Sequence, residues 1–106
     1  MKNKKVLKKN QKLNLIKKFL LKNKNFLYEK YKIKKISIFG SYARHQQKKN
    51  SDLDLLVVFD ENATLFDMIS ASNFLEEKLK IKIDMVTEYS LNHKIKSYVL
   101  KEAIEI

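Results

Sequence analysis

The sequence predicts an α/β (α+β) fold, a two-layer sandwich in which a small mixed β-sheet carries helices packed on one face. Short apolar strand-like runs are interspersed with amphipathic helical stretches, the pattern of a sheet covered by helices. The chain has 106 residues, enough for one modest core and one domain. No apolar run approaches the ~20 residues that cross a bilayer, so a cytoplasmic chain without a membrane partner is expected.

Residues 1–10 are basic and are expected to form a flexible arm ahead of a single domain over residues 11–106. No apolar signal segment directly follows Met1-Lys2-Asn3-Lys4-Lys5. Residues 11–31 place Leu13, Ile16, Phe19, Leu20, Phe26, Leu27 and Tyr31 at helical spacings, with Asn10 able to cap the start. Asn23-Lys24-Asn25 interrupts the pattern, leaving either one kinked helix or two short ones. Residues 34–39 form a strand with Ile36 and Ile38 on one face, and Gly40-Ser41 breaks it. Residues 42–50 are polar, a short helix plus loop. Residues 53–59 are a second strand, rich in Leu and Val, and Asp60-Glu61-Asn62 turns the chain. A helix over 64–79 has Leu65, Ile69, Phe74, Leu75 and Leu79 as its apolar positions and Thr64 as its cap. In the third strand, 80–87, Ile81, Ile83 and Met85 alternate with polar residues. A last helix over 91–103 carries Ile95, Tyr98, Val99 and Ala103.

Cysteine and proline are both absent. That excludes disulfides, thiolate zinc sites and cysteine nucleophiles, and with them proline-rich linkers. The net charge of +11 is unevenly spread. Residues 1–50 hold sixteen Lys, Arg44 and one acid, Glu29, a net of +16. Residues 51–106 hold six Lys and eleven acids, a net of −5. Such a basic half suits a polyanion. Its lysines lack the aromatic interleaving of a nucleic-acid groove, which favours solvated lysine over direct nucleic-acid binding. There is one glycine, Gly40, where ordinary usage gives about seven, and one arginine, Arg44, against 22 lysines. A chain that otherwise avoids both types places them within five positions, which marks a local site.

Asp52-Leu53-Asp54 opens the second strand, and side chains at i and i+2 of a strand share a face. Leu53, Leu55 and Val57 then face the other way, into the core. Two carboxylates side by side repel unless a cation lies between them, and oxygen-only ligands suit Mg²⁺ or Mn²⁺. Asp84 interrupts the third apolar strand. If that strand neighbours the second, about 4.8 Å away, Asp84 joins the same face. Three carboxylates so placed could bridge two metals ~3.5–4 Å apart, the spacing for in-line displacement at phosphorus. The Gly40-Ser41 break lets backbone approach a ligand and turns amides toward phosphate oxygens. Taken alone, the Asp52-Leu53-Asp54 pair is better read as a strand-end turn, and Gly40 is equally at home as a plain turn glycine.

Together, Ile38-Phe39-Gly40-Ser41-Tyr42-Ala43-Arg44, Asn50-Ser51-Asp52-Leu53-Asp54-Leu55-Leu56-Val57 and Ile83-Asp84-Met85-Val86-Thr87 resemble the minimal nucleotidyltransferases of the DNA polymerase β superfamily. The closest likeness is to the MNT-type antitoxins encoded beside HEPN-domain RNase toxins. The resemblance spans roughly residues 13–106 and implies the polymerase-β-like nucleotidyltransferase fold. It implies that Gly40 and Ser41 hold the β- and γ-phosphates of a nucleoside triphosphate. Arg44 and Ser51 are placed with them at the nucleotide, Arg44 orienting phosphate or the carboxylates. Asp52 and Asp54 would bind two Mg²⁺ ions, with Mn²⁺ as an alternative. Asp84 would bind the catalytic one and help deprotonate the acceptor. In the antitoxin group, AMP passes from ATP to a tyrosine hydroxyl of the HEPN toxin and pyrophosphate is released. The family commonly has glycine after the arginine, where this chain has His45; His45 and His93 are expected to be surface residues.

Superfamily members that act on antibiotics or RNA tails carry further domains to grip the acceptor, so a protein acceptor is expected for a chain of this size. Three other readings stay open. One is a small-molecule nucleotidyltransferase of the aminoglycoside type. Another is a non-catalytic antitoxin that binds and masks its toxin. The last is a plain RNA-binding module resting on charge alone.

Overall fold

A computed structural model describes residues 9–106, so most of the basic arm expected over residues 1–10 lies outside the described residues. Helices α1 (Lys9–Lys22) and α2 (Lys24–Tyr31) lead into strand β1 (Ile33–Phe39) and a single helical turn, α3 (Gly40–Ala43). Strand β2 (Leu53–Phe59), helix α4 (Leu65–Leu79) and strand β3 (Ile83–Thr87) follow. A 3₁₀ turn (Glu88–Ser90), helix α5 (His93–Glu102) and strand β4 (Ile104–Glu105) complete the chain. The four strands form one mixed sheet in the order β3-β2-β1-β4. Strand β1 runs antiparallel to β2 and β4, whereas β2 and β3 are parallel. The expected α+β fold with a small mixed sheet is the one observed.

Asn23 resolves the choice between one helix and two. Its side-chain amide donates to the Phe19 carbonyl at 2.8 Å, and its backbone carbonyl accepts from Leu27. The residue therefore closes α1 and opens α2. Asn10, the expected cap, falls within the helical residues of α1, and its side chain lies outside the described part of the structure. Thr64 does cap α4: its hydroxyl accepts from the Asp67 amide, and the Asp67 carboxylate accepts from the Thr64 amide. Such a reciprocal box satisfies two donors that the first turn leaves orphaned.

The core lies between the sheet and α1, α2 and α4. Strand β2 contributes Leu53, Leu55 and Val57, and β1 contributes Ile33, Ile36 and Ile38, all buried. They meet Leu13, Ile16, Leu20, Leu27, Ala71 and Leu75 from the helices. Burying a side chain of this size contributes about 1.5–3 kcal/mol. Phe74 joins the helices, its ring lying 5.1 Å from Phe26, 5.7 Å from Tyr31 and 6.4 Å from Phe19. Helix α5 packs against β1 and α3.

Several expected boundaries move. Leu65 and Ile69, read as apolar positions of α4, are exposed, and Ala71 is buried instead. The third strand starts at Ile83 rather than at residue 80, because Lys80 takes a left-handed conformation to end α4. The last helix begins at His93, capped by the Asn92 side chain, after the 3₁₀ turn. Strand β4, two residues long, has no sequence signature. No helix among the described residues is long and apolar enough to cross a membrane.

Candidate active site

The parallel pairing of β2 with β3 assembles the site. In its register Asp54 is the direct partner of Asp84, between Leu53–Ile83 and Leu55–Met85. The neighbouring core residues point away, so both carboxylates lie on the face opposite the main core. Asp54 is half-buried, while Asp52, one residue ahead of β2, and Asp84 are exposed. Leu53 donates its amide to the Lys82 carbonyl at 2.8 Å, which ties the starts of the two strands together. Register thus places Asp54 and Asp84 side by side, while Asp52 lies one residue ahead of β2, outside that pairing, and reaches Asp54 through its charge.

The Asp54 carboxyl is pushed up to about 6. Burial is the largest cause. The Asp84 charge and a hydrogen bond between the two carboxyl groups follow, then the Asp52 charge; Arg44 works in the opposite direction. Asp52 acts through charge alone, so Asp54 and Asp84 are the pair in contact. Among the described residues no three of His, Asp or Glu form a closed metal cage as they stand. The donor set nonetheless fits a hard divalent cation: carboxylate oxygens only, two of them at directly paired positions of adjacent strands. A cation there would offset the Asp84 and Asp52 charges that add to burial in raising Asp54.

Gly40 sits directly against this pair. It is buried, with a φ of 73°, a conformation that favours glycine. A side chain there would run into the Asp54 carboxylate, with an added Cβ 2.9 Å from Asp54 Cγ and in closer collision with Oδ2. The chain's single glycine is therefore required twice at one position, by backbone conformation and by the space the carboxylate occupies. Ser41 is the second residue of the helical turn α3, and its carbonyl accepts from the Gln46 amide at 2.8 Å. Tyr42 is buried beneath the turn.

Arg44 stands at the end of α3 with its side chain 45% exposed. Its Nη1 donates to both oxygens of Glu102, at 3.0 and 3.2 Å, and its Nε donates to Gln46 Oε1 at 3.3 Å. Glu102 Oε2 also accepts the Gly40 amide at 2.8 Å. Sequence reasoning passed over Glu102. The available signal was an acid at the C-terminal end of a helix, where the helix dipole disfavours negative charge.

Ser51 is used locally, its hydroxyl accepting the Lys48 amide at 2.7 Å to close the turn before β2. His45 has a φ of 58°, so the backbone at this position takes the left-handed form that glycine accommodates most easily. His45 and His93 are both exposed, as expected for surface residues.

Carboxylates on two adjacent parallel strands, beside a glycine turn, suit chemistry at phosphate, and fold comparison gives the class as minimal nucleotidyltransferase. A solved structure described as a candidate minimal nucleotidyltransferase superposes with a TM-score of 0.73 at 32% identity, covering 86% of this chain and 95% of that one. The chain belongs to the nucleotidyltransferase domain family, whose model matches residues 4–106.

Among its relatives is a candidate protein adenylyltransferase of Methanocaldococcus jannaschii, 46% identical over 81 residues, which are 76% of this chain and 83% of the relative. Protein adenylyltransferase MntA of Thermococcus cleftensis is 35% identical over 94 residues, 89% of this chain and 95% of that protein. A complex of a tri-AMPylated Shewanella oneidensis HEPN toxin with an MNT antitoxin shares the fold, with a TM-score of 0.61 at 19% identity, covering 88% of this chain and 70% of the matched chain.

Proposed function

We propose that this nucleotidyltransferase is an MNT-type antitoxin that transfers AMP from ATP to a tyrosine hydroxyl of a HEPN-domain RNase toxin. The observation that carries the reading is the Asp54–Asp84 pairing in the β2–β3 register, with Gly40 packed against it. The adenylyltransferase relatives support the donor and the protein acceptor. The tri-AMPylated HEPN complex of the shared fold supports the partner.

Asp52 and Asp54 would hold two Mg²⁺ ions, with Asp84 sharing the catalytic one. When bound, the ions supply charge neutralisation and stabilise the attacking and leaving oxygens. The protein's own part is positioning, the main demand of phosphoryl-type transfer. Gly40 keeps the turn close to the carboxylates, Ser41 and Arg44 direct donors to the triphosphate, and Ser51 shapes the turn that delivers Asp52. The acceptor oxygen forms a bond to the α-phosphorus as the α–β anhydride bond breaks. Pyrophosphate leaves, and the hydroxyl proton passes to the exposed Asp84 carboxylate. Tyrosine ionises near pH ~10 unaided, so a base at this point matters.

The test is incubation of the purified protein with Mg²⁺, α-labelled ATP and a HEPN-domain toxin encoded beside it. Label is expected on the toxin and not on a variant with its acceptor tyrosine changed to phenylalanine. Label on a small-molecule acceptor instead, with none on the toxin, would contradict the proposal.

A further inference from the structure

Two donors that the proposed reaction directs at the triphosphate, the Gly40 turn and the Arg44 guanidinium, are held by one carboxylate from the far end of the chain. Glu102 Oε2 accepts the Gly40 amide at 2.8 Å across 62 residues of sequence. Both of its oxygens accept Arg44 Nη1, at 3.0 and 3.2 Å. We infer that Glu102 is a positioning residue for nucleotide binding, setting the Gly40 turn and Arg44 in place without touching the nucleotide. The inference rests on the nucleotide site proposed above.

The geometry separates the anchor from the reach. The Glu102 side chain is 19% exposed and that of Arg44 45%, so the carboxylate is the sheltered end of the pair and the guanidinium faces outward. Arg44 is held along Nε by Gln46 and along Nη1 by Glu102, and neither bond uses Nη2. A guanidinium fixed on two sides has lost most of its rotamer freedom before any ligand arrives, which is how preorganisation raises affinity. The Gly40 amide is fixed by the same carboxylate, and Gly40 in turn borders Asp54. One side chain thus links the phosphate-facing turn, the cation beside it and the edge of the carboxylate pair. The cost shows in α5, whose last residue is this acid, against the helix dipole. Bonds to a cation and to a turn amide offset that cost.

The opposite role is chemically conceivable. A carboxylate that merely occupies donors wanted by phosphate would weaken nucleotide binding, and its removal would tighten it. Calorimetric titration of the full chain with AMP-PNP and Mg²⁺ distinguishes the two without any acceptor. Glu102→Ala is expected to raise Kd about 10-fold or more, the usual scale for a group that orients a ligand-holding residue. In an Arg44→Gln background the same change is expected to add less than about 3-fold, since the two act as one unit. Glu102→Gln keeps the size and the bond to Gly40 but removes the charge facing Arg44. It is expected to raise Kd about 3-fold or more, and it carries the test if the alanine variant does not fold. Unchanged or tighter binding by a folded Glu102 variant would overturn the inference, as would an equal loss in both Arg44 backgrounds. Failure of the wild type to bind AMP-PNP would overturn the nucleotide-site reading itself, a result separable from failure of the Glu102 variants alone.

Discussion

Asp54 meets a like charge across the strand pair, its carboxylate lying in space that only a glycine at position 40 leaves open. Its carboxyl is raised from 3.8 to about 6 by burial, by Asp84 and then by Asp52. A folded state that binds this proton more tightly than the unfolded chain gains stability from it below pH ~4. The gain is lost as pH rises through about 6, so near neutral pH the metal-free protein carries the repulsion in full. Asp54→Asn is therefore expected to stabilise the metal-free protein at pH 7 by about 1 kcal/mol, a figure already reduced for solvent screening of a half-exposed group. The advantage should vanish near pH 4, and transfer activity should be abolished. Thermal melts of both forms from pH 4 to 7 check this. Added Mg²⁺ or Mn²⁺ should raise the wild-type midpoint and leave that of the variant in place. A variant less stable than wild type at pH 7 without metal would show that Asp54 is held by partners other than its acidic neighbours. His45 supplies a second residue-scale case. At a φ of 58° it bears a left-handed strain that glycine would relieve, offset in part by glycine's greater freedom in the unfolded chain. His45→Gly is expected to keep nucleotide transfer and to stabilise by up to ~1 kcal/mol, whereas His45→Val is expected to cost about 1–2 kcal/mol. Denaturant unfolding measures both. Gly40 and Arg44 were legible because a chain poor in both types sets them within five positions. Glu102 was not, because its partners are 58 and 62 residues away and a glutamate at a helix end has many uses.

Helix α4 shows how an element can be separated from the site it supports. Its start depends on the Thr64–Asp67 box, and Asp67 also pairs with Lys32 at 3.3 Å. The backbone hydrogen bond from Thr64 is the largest cause holding the Asp67 carboxyl below its ordinary range, with Lys32 adding to it. A lowered carboxyl contributes stability above its unfolded value, and the contribution is lost as pH falls through the folded one. Acid should therefore weaken the start of α4 while it relieves Asp54. Thr64→Ala is expected to cost about 1 kcal/mol with kcat and KM unchanged, since the cap lies away from the carboxylates. A fall in kcat at full folding would show that α4 is coupled to β3 more tightly than its packing suggests. The cap was legible from Thr64 standing at the head of the apolar helical run, a signal that needs no tertiary information, whereas its reciprocal partner Asp67 is given by the structure. The burial of α4 was less so. Its apolar residues occur on more than one side, and periodicity does not say which side meets the sheet, so Leu65 and Ile69 were read with the apolar face although the fold leaves them exposed. Strand β4 is two residues long, too short for alternation to show, and it exists because β1 offers it an edge.

At the scale of the whole molecule, one topological fact joins the two halves of the chain: β2 and β3 are parallel and in register, with Asp54 opposite Asp84. From the sequence, Asp84 was a charge interrupting an apolar run, and its meeting with Asp54 was conditional on strand order. A parallel pair needs a crossover, and α4 provides it, so the 29 residues between the two aspartates bring them together. The charge asymmetry follows the same division. The acidic half supplies all three carboxylates, and the strongly basic half supplies Gly40, Ser41 and Arg44, the parts assigned to the triphosphate. On the proposed function, such an arrangement would help attract an anionic substrate to a site whose own carboxylates repel it. The most direct test of the proposed function is the intact mass of the HEPN-domain toxin encoded beside this protein. It would be co-expressed either with the wild type or with the Asp52→Asn/Asp54→Asn form. A gain of whole AMP units with the wild type only, accompanied by loss of toxicity, is the expected result. An unmodified toxin whose toxicity is suppressed equally by both forms would contradict it and would make binding alone the function.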